Sequence, residues 1–547
     1  MKFIKLILSA VLIAAVILTP VSVPNVNTSA SAASLNITVS FNSASGIFTL
    51  TASSAATASV MPVLYKDGAI EDIMIFKTSV SASGTKINLN GLMPDDADTL
   101  KLYVWNSTSD LKPVAKPYTL NLDKLGILNV QSGHLKDING NTVVLKGVNF
   151  GGWLIQETWM CPVFAFNSNV TVNSGTENGW ANLDTLSGME SKFGASEAAK
   201  LFKAYQDNYI TEWDFQNVKN LGFNCVRIPF WYRNFMSDEN GTYYTTDDND
   251  NPGFQKLDWA IETAGKYGLY VVLDMHGCPG GQSGDHSTGK IGRNYLYFED
   301  KYQDIMEDLW TKIADRYKFG KTVVSYDIMN EPLNNADTAH GVKSAYAVSP
   351  WVAIADDPRI PVYDRMVKAI RKFDPYHNIT LEGIWRIYNL PNPSTYGWTN
   401  VMYQLHSYDS DEATTTELIN SLVNARKNYG VAAYMGEFNP SVYYSGIVTM
   451  MKNNSINYTV WNYKVTGAIS CYTNWGLYYK TYSAEDLYSI CGTDAGNKVA
   501  GSWNGYFFSM KDLSNTQIKT AYTNWWTSTY LSTKNFTLNS TLYNLIK

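Results

Sequence analysis

Two acidic residues stand where a run of strand-like residues stops. Glu331 lies in SYDIMNEPL, directly before Pro332, and Glu437 closes AAYMGEF. Two facing carboxylates are the minimal equipment for breaking a glycosidic bond: one, protonated, donates to the leaving oxygen, and the other, ionised, attacks the anomeric carbon. Arg227, His276, Asn330, His406, Tyr408 and Trp461 also end or follow apolar runs. Arg227 and the Tyr408 hydroxyl are suited to keep Glu437 as an anion, and Asn330 to hydrogen-bond a sugar 2-hydroxyl. Each residue alone has an ordinary structural role. Their common placement is the informative feature.

That placement requires a particular scaffold. From about residue 125 onward, eight strand candidates follow one another: VVLKGVNF, FNCVRIPF, YVVLDMH, VVSYDIMNE, NITLEGI, VMYQLHSY, VAAYMGEF and INYTVWNY. They are nearly continuous apolar runs, as parallel strands covered on both faces require. Helical periodicities such as LDWAIETAGKYG and RMVKAIRKF lie between them. This is the pattern of an α/β protein with a (β/α)8 barrel, whose chemistry gathers at the C-terminal ends of the strands.

The set Arg227, His276, Asn330-Glu331, His406-x-Tyr408, Glu437 and Trp461, in that chain order, resembles the active site of glycoside hydrolase family 5, the cellulase family. The resemblance covers residues 125–547. It implies a retaining mechanism with Glu331 as acid/base, Glu437 as nucleophile and a carboxylate separation of about 5 Å. It implies Trp461 as the floor of the subsite holding the sugar under attack. GVNFGGWLIQE, ending at Glu157, and DMHGCPGGQSGDHSTG, from Asp274, are similar to segments of the family's exo-β-1,3-glucanases. In those enzymes the residue matching Glu157 binds hydroxyls of the terminal glucose, which implies attack at a chain end. An endo-β-1,4-glucanase with an open cleft is the alternative, and a loop ion pair is the structural alternative for Glu157. The insertion at 161–200 has no counterpart in the resemblance.

The rest of the chain bounds this reading. At 547 residues it is too long for one core. A net charge of −6 excludes a strongly basic nucleic-acid or anionic-membrane binder. The 37 Tyr and 16 Trp fit either a large core or a sugar-facing surface. Residues 1–32, with Lys2 and Lys5 before an apolar run and small residues at Ala30-Ser31-Ala32, read as a secretory signal peptide. Residues 35–122 hold short alternating runs, LNITVSF, GIFTLTA and LKLYVWN, and predict a small β-sandwich resembling the immunoglobulin-like modules of secreted glycosidases. A spacer role is expected for it. The five cysteines include no Cys-x-x-Cys pair, and one disulfide is compatible with their number.

TTDDNDNPG at 245–253 puts Pro252 where a calcium loop needs glycine and reads as a surface turn. His286 fits an exposed loop or the site entrance, and Trp525-Trp526 fit a helical core. The expectation is therefore a secreted, monomeric β-glycosidase acting on β-glucan polysaccharides or oligosaccharides. It needs no cofactor or metal, binds no nucleic acid and has no membrane span. The competing class is an inactive carbohydrate-binding surface protein, against which the two carboxylates and their supporting residues argue.

Overall fold

The computed structural model describes residues 37–42, 47–66, 69–88, 99–106, 113–115, 117–121, 125–163, 181–468, 473–502 and 509–547. The expected signal peptide at 1–32, residues 164–180 of the insertion and Cys471 lie outside the described residues. The chain divides into two compact units, with the boundary between Lys124 and Leu125.

The first unit is built from antiparallel strands. Ile37–Asn42, Ile47–Ala52 and Thr85–Asn88 form one sheet. In the other, Ala56–Lys66 pairs with Ala69–Ile73 and Phe76–Val80 on one edge and with Thr99–Trp105 on the other, and Tyr118–Asn121 lies beyond. Alternate side chains of a strand share a face. Phe48 and Leu50 of the first sheet therefore pack with Val60, Leu64, Leu100, Leu102 and Val104 of the second in one core.

The second unit is a closed barrel of eight parallel strands: Lys146–Asn149, Cys225–Trp231, Tyr270–Gly277, Val323–Asp327, Asn378–Glu382, Val401–Ser407, Ala432–Phe438 and Asn457–Val460. The first strand pairs with the last, Gly147 opposite Thr459, which closes the ring. Each matches the apolar run that announced it, the second and third extending one residue beyond it. Gly147 is needed where the first strand meets the second, because a Cβ there would run into the Cys225 carbonyl oxygen. Helices cover the outside, among them Pro252–Lys266, Asp300–Tyr317, Arg359–Arg371 and Glu412–Tyr429. Only short 3-10 turns, at Ile387–Asn389 and Pro393–Thr395, join the fifth strand to the sixth.

Several smaller expectations meet the structure here. The 245–253 stretch is a turn tied by Asp247 to Asn249, and Asn251 caps the helix that begins at Pro252. Trp525 and Trp526 are both buried, and the Trp526 indole donates to the Pro162 carbonyl at 2.9 Å. The described cysteines, Cys161, Cys225, Cys278 and Cys491, are free and buried. Among the described residues, no helix is long and apolar enough to cross a membrane.

Outer helices are clamped to strands by large aromatic side chains. Trp310 is wholly buried, lies 5.8 Å from the rings of both Phe230 and Tyr326, and donates its indole hydrogen to the Ile328 carbonyl at 3.2 Å. It thus ties helix Asp300–Tyr317 to the second and fourth strands. Trp310→Ala is expected to cost about 3–5 kcal/mol of the barrel's stability. Urea unfolding of the variant checks this, and a loss under about 1 kcal/mol would show that the helix is held by other contacts.

Candidate active site

Arg227 sets the geometry. The sequence places it at a strand end, but it is the third residue of Cys225–Trp231, so its side chain lies inside the barrel below the mouth. This corrects that expectation: a fully buried guanidinium needs carboxylates around it, and the interior of the barrel provides them. Its Nε donates to Asp327 Oδ2 at 2.9 Å and its Nη1 to Glu437 Oε1 at 2.9 Å, while its Nη2 lies 3.1 Å from Asp274 Oδ2. Nη1 also reaches Asn149 Oδ1 at 3.1 Å, and Nη2 reaches Asn330 Oδ1 at 2.9 Å.

Glu437 sits on the seventh strand above this cluster. Its Oε2 accepts from the Tyr408 hydroxyl at 2.8 Å. Gly436 before it leaves room for the neighbouring Gln404, whose Oε1 would lie 2.3 Å from a Cβ at that position. Burial pushes the Glu437 carboxyl above its ordinary value, while His406 and Arg227 pull it back.

Glu331 follows the fourth strand with φ +41°, a left-handed conformation that non-glycine residues adopt only at a cost. Its backbone N–H donates to Glu382 Oε2 at 2.8 Å, which anchors the turn. Its Oε1 faces His406 Nδ1 at 2.9 Å, and its Oε2 accepts from Asn334 Nδ2 at 3.1 Å. Burial raises its pKa to about 7, and Asp285 and Glu157 add to the rise. Oxygens of Glu331 and Glu437 lie within 4.8 Å of one another. One carboxyl therefore stands against a guanidinium and a phenol, and the other has no cation in hydrogen-bond contact. That contrast is what an acid and a nucleophile require.

The remaining expected residues surround this pair. Burial drives His406 down to about 3, so the ring is neutral. Its Nε2 faces the Gln404 amide nitrogen at 3.4 Å, which leaves the proton on Nδ1, directed at Glu331. His276 Nδ1 lies 2.8 Å from Asp274 Oδ2, its Nε2 faces Asn330 Nδ2 at 3.3 Å, and its ring stacks within 6° of parallel on Trp461. Gly151 is required beside that indole, since a Cβ there would lie 2.6 Å from Trp461 Cη2. Glu157 lies in the loop after the first strand, where its Oε2 accepts from the Trp159 indole at 2.8 Å and lies 3.0 Å from His286 Nε2. Burial opposes ionisation of Glu157, but His286 holds its carboxyl below the ordinary range.

Several participants were not singled out by the sequence reading. Glu382 at the end of the fifth strand, fully buried, accepts from both Glu331 N–H and Gln404 Nε2. Burial, then the charges of Glu331 and Asp327, raise its pKa well above the ordinary value. A carboxylate ending NITLE on its own strand was a usable signal. His286, for which the sequence left an exposed loop or the site entrance open, lies between Glu157 and Asp285, with Nδ1 2.6 Å from Asp285 Oδ1. The half-buried rings of Trp385, Tyr443 and Trp475 lie around Tyr408, with Trp159 against Trp475. They come from separate loops, which spacing does not reveal. Glu331, His406 and Glu437 are also close enough to share a metal ion. However, both Glu437 oxygens are already engaged by Arg227 and Tyr408, and His406 Nδ1 carries a proton, so the arrangement suits proton sharing better.

With Glu331 as acid and Glu437 as anion, kcat/KM is expected to fall above about pH 7 as Glu331 loses its proton, and to fall in acid as Glu437 gains one. Because burial pushes the Glu382 carboxyl well above its ordinary value, Glu382→Gln is expected to leave the alkaline limb unmoved and activity within about threefold. Glu382→Leu removes the anchor of Glu331 and is expected to cost roughly tenfold or more, the equivalent of one buried hydrogen bond. A downward shift of a full pH unit in Glu382→Gln would mean that Glu382 is ionised.

Known proteins resemble this chain over part of its length. The chain is 27% identical over 334 residues to a β-xylosidase of Phanerodontia chrysosporium, covering 58% of this chain and 62% of that protein. It is 28% identical over 275 residues to glucan 1,3-beta-glucosidase 1 of Schizosaccharomyces pombe, covering 50% and 61%. It thus spans less than two thirds of the length of these relatives. The solved structure of rutinosidase from Aspergillus niger aligns with TM-score 0.44 and 16% identity over 60% of this chain and 91% of that one. The family profile for cellulase (glycosyl hydrolase family 5) matches residues 178–467, over half of the sequence, and with its eight-stranded barrel the chain belongs to that family.

Proposed function

We propose that the protein is a retaining β-glycosidase that hydrolyses β-glucan chains, with Glu437 as nucleophile and Glu331 as acid/base. The observation that carries the reading is the approach of the two carboxyls, with oxygens within 4.8 Å. Retaining enzymes hold their carboxyls about 5 Å apart, whereas inverting ones need about 6.5–9.5 Å to admit a water. In the first step Glu437 attacks the anomeric carbon and the Glu331 proton passes to the departing glycosidic oxygen. In the second, Glu331 as carboxylate takes a proton from water, the hydroxide attacks the anomeric carbon, and the Glu437 ester is released. His406 Nδ1–H keeps Glu331 in place through both steps.

Asn330 is placed to bind the 2-hydroxyl. Trp461, stacked on His276, provides the flat floor for the sugar, and the rings about Tyr408 and Trp475 provide platforms for the next units. Glu157, held by Trp159 and His286, is the group that caps the site against a chain end. Relatives named glucan 1,3-beta-glucosidase support a β-1,3-glucan substrate. The basic and then apolar residues 1–32 support export, and the N-terminal β-sandwich is assigned as a spacer. The protein is taken to act as a monomer.

Glu437→Gln is expected to abolish turnover while leaving glucan binding nearly intact; appreciable residual hydrolysis would remove Glu437 from the nucleophile role. Glu331→Ala is expected to lose roughly 100- to 10,000-fold on polysaccharide and to be rescued by azide or by glycosides with good leaving groups. Substrate class is read from products on laminarin, mixed-linkage glucan and carboxymethylcellulose. Glucose as the sole early product from laminarin is expected for chain-end attack. A ladder of oligosaccharides with a rapid fall in viscosity would instead mean an open, endo-acting cleft.

A further inference from the structure

The turn that carries Glu331 is strained twice. Glu331 has φ +41° and Leu333 φ +61°, both left-handed and neither glycine, with Pro332 between them. The Asn334 backbone N–H closes this turn on the Glu331 carbonyl at 3.3 Å. Proline thus takes the second position and the positive φ of Leu333 the third, where glycine or asparagine is usual. Such a backbone persists only where its surroundings enforce it. Leu333 is wholly buried and donates its N–H to the Gln282 carbonyl at 2.8 Å, which supplies the enforcement. The consequence is that Asn334, three residues on, returns its carboxamide to the Glu331 side chain.

That carboxamide is held on three sides. Its oxygen accepts from the Trp385 indole at 3.1 Å; an indole N–H only donates, so the nitrogen is the end that faces Glu331. Nδ2 donates to Glu331 Oε2 at 3.1 Å and lies 3.4 Å from Asp285 Oδ2. Asp285 is itself fixed by Asn335 Nδ2 at 2.6 Å and by His286. His406 Nδ1–H on Oε1 and Asn334 on Oε2 are therefore two neutral donors at the carboxyl of Glu331, and both favour its anion. Asp285, Glu157 and Glu437 oppose that anion, His276 and Arg227 favour it, and Glu382 meets the backbone N–H. The Tyr408 hydroxyl is committed to Glu437. A group that is acid in one step and base in the next works best when its pKa stays near the working pH rather than being driven far up by burial.

We propose that Asn334, oriented by Trp385, is a positioning residue for the acid/base: it holds Glu331 Oε2 and stabilises the carboxylate that forms as the proton passes to the glycosidic oxygen and the C–O bond breaks. This rests on the reading of Glu331 as acid/base.

The test uses leaving groups. kcat/KM reports the steps up to formation of the Glu437 ester, in which a departing sugar needs the proton and a dinitrophenolate does not. Full-length parent, Asn334→Leu and Trp385→Phe are compared on laminaribiose and on dinitrophenyl β-glucoside. Asn334→Leu is expected to lose about five- to tenfold on laminaribiose, the worth of one hydrogen bond, and several times less on the aryl glucoside. Its alkaline limb on laminaribiose is expected to move up by about half a pH unit or more, because the anion has lost a donor. Trp385→Phe keeps a ring but frees the carboxamide to flip, and is expected to move the limb the same way by less. Equal losses on the two substrates, or an alkaline limb unmoved or lowered in Asn334→Leu, would overturn the proposal, since a purely structural role lowers both rates together. Asn334→Ala, read in the same way, decides the matter if Asn334→Leu does not fold. A parent inactive on both glycosides would count against the glycosidase reading instead. Infrared titration of the Glu331 carboxyl, identified as the band missing from Glu331→Gln, then still decides: a raised midpoint in Asn334→Leu supports the proposal, and an unmoved one overturns it.

Discussion

The buried guanidinium of Arg227 is the interaction on which the site depends. A charge with no solvent exposure inside a barrel is tolerable only when opposite charges and hydrogen bonds surround it. Asp274, Asp327 and Glu437 provide the charges, and Asn149 and Asn330 the remaining acceptors. These residues come from four strands, the first, third, fourth and seventh, so one side chain on the second strand fixes the relative positions of most of the mouth. Asp274 then orients His276, which supports Trp461, and Asn330 is held between Arg227 and His276. Trp461 and Glu437 thus share one electrostatic anchor.

The difference between the two glutamates follows from where that anchor ends. Glu437 touches Arg227 and Tyr408, both of which stabilise its anion. Glu331 lies farther along, beside a neutral His406 and above the buried carboxyl of Glu382, so burial dominates and its pKa rises to about 7. The same low-polarity interior that strengthens the Arg227 cluster raises the pKa of the Glu331 carboxyl a few ångströms away. The left-handed backbone at Glu331 belongs to this arrangement, because it turns the N–H down to Glu382 while the side chain stays in the cleft.

Around this centre the molecule is aromatic, and its rings serve two purposes. Trp310, Trp526 and Tyr326 are wholly buried and hold helices to strands. Trp385, Tyr443 and Trp475 are half-buried at the mouth, where a ring can pack on one face and meet a sugar on the other. Composition registers both groups as one excess, and only their exposure separates them.

The barrel itself was legible from the chain, because parallel strands buried on both faces must be nearly continuous apolar runs and the runs number eight. The strand-end chemistry was legible for the same reason: Glu331, Glu437, His276 and His406 break apolar runs at their last residues, where no packing demand explains them. Arg227 was misplaced by a few residues, since the alternation that turns a side chain inward is invisible in a strand buried on both faces. What the tertiary structure alone decided is the pairing across distance. Glu382 beneath Glu331 and His286 between Glu157 and Asp285 each depend on segments tens of residues apart. Sequence carries the types of such residues, but the energies that make them a site come from distances and burial that only closure of the barrel creates.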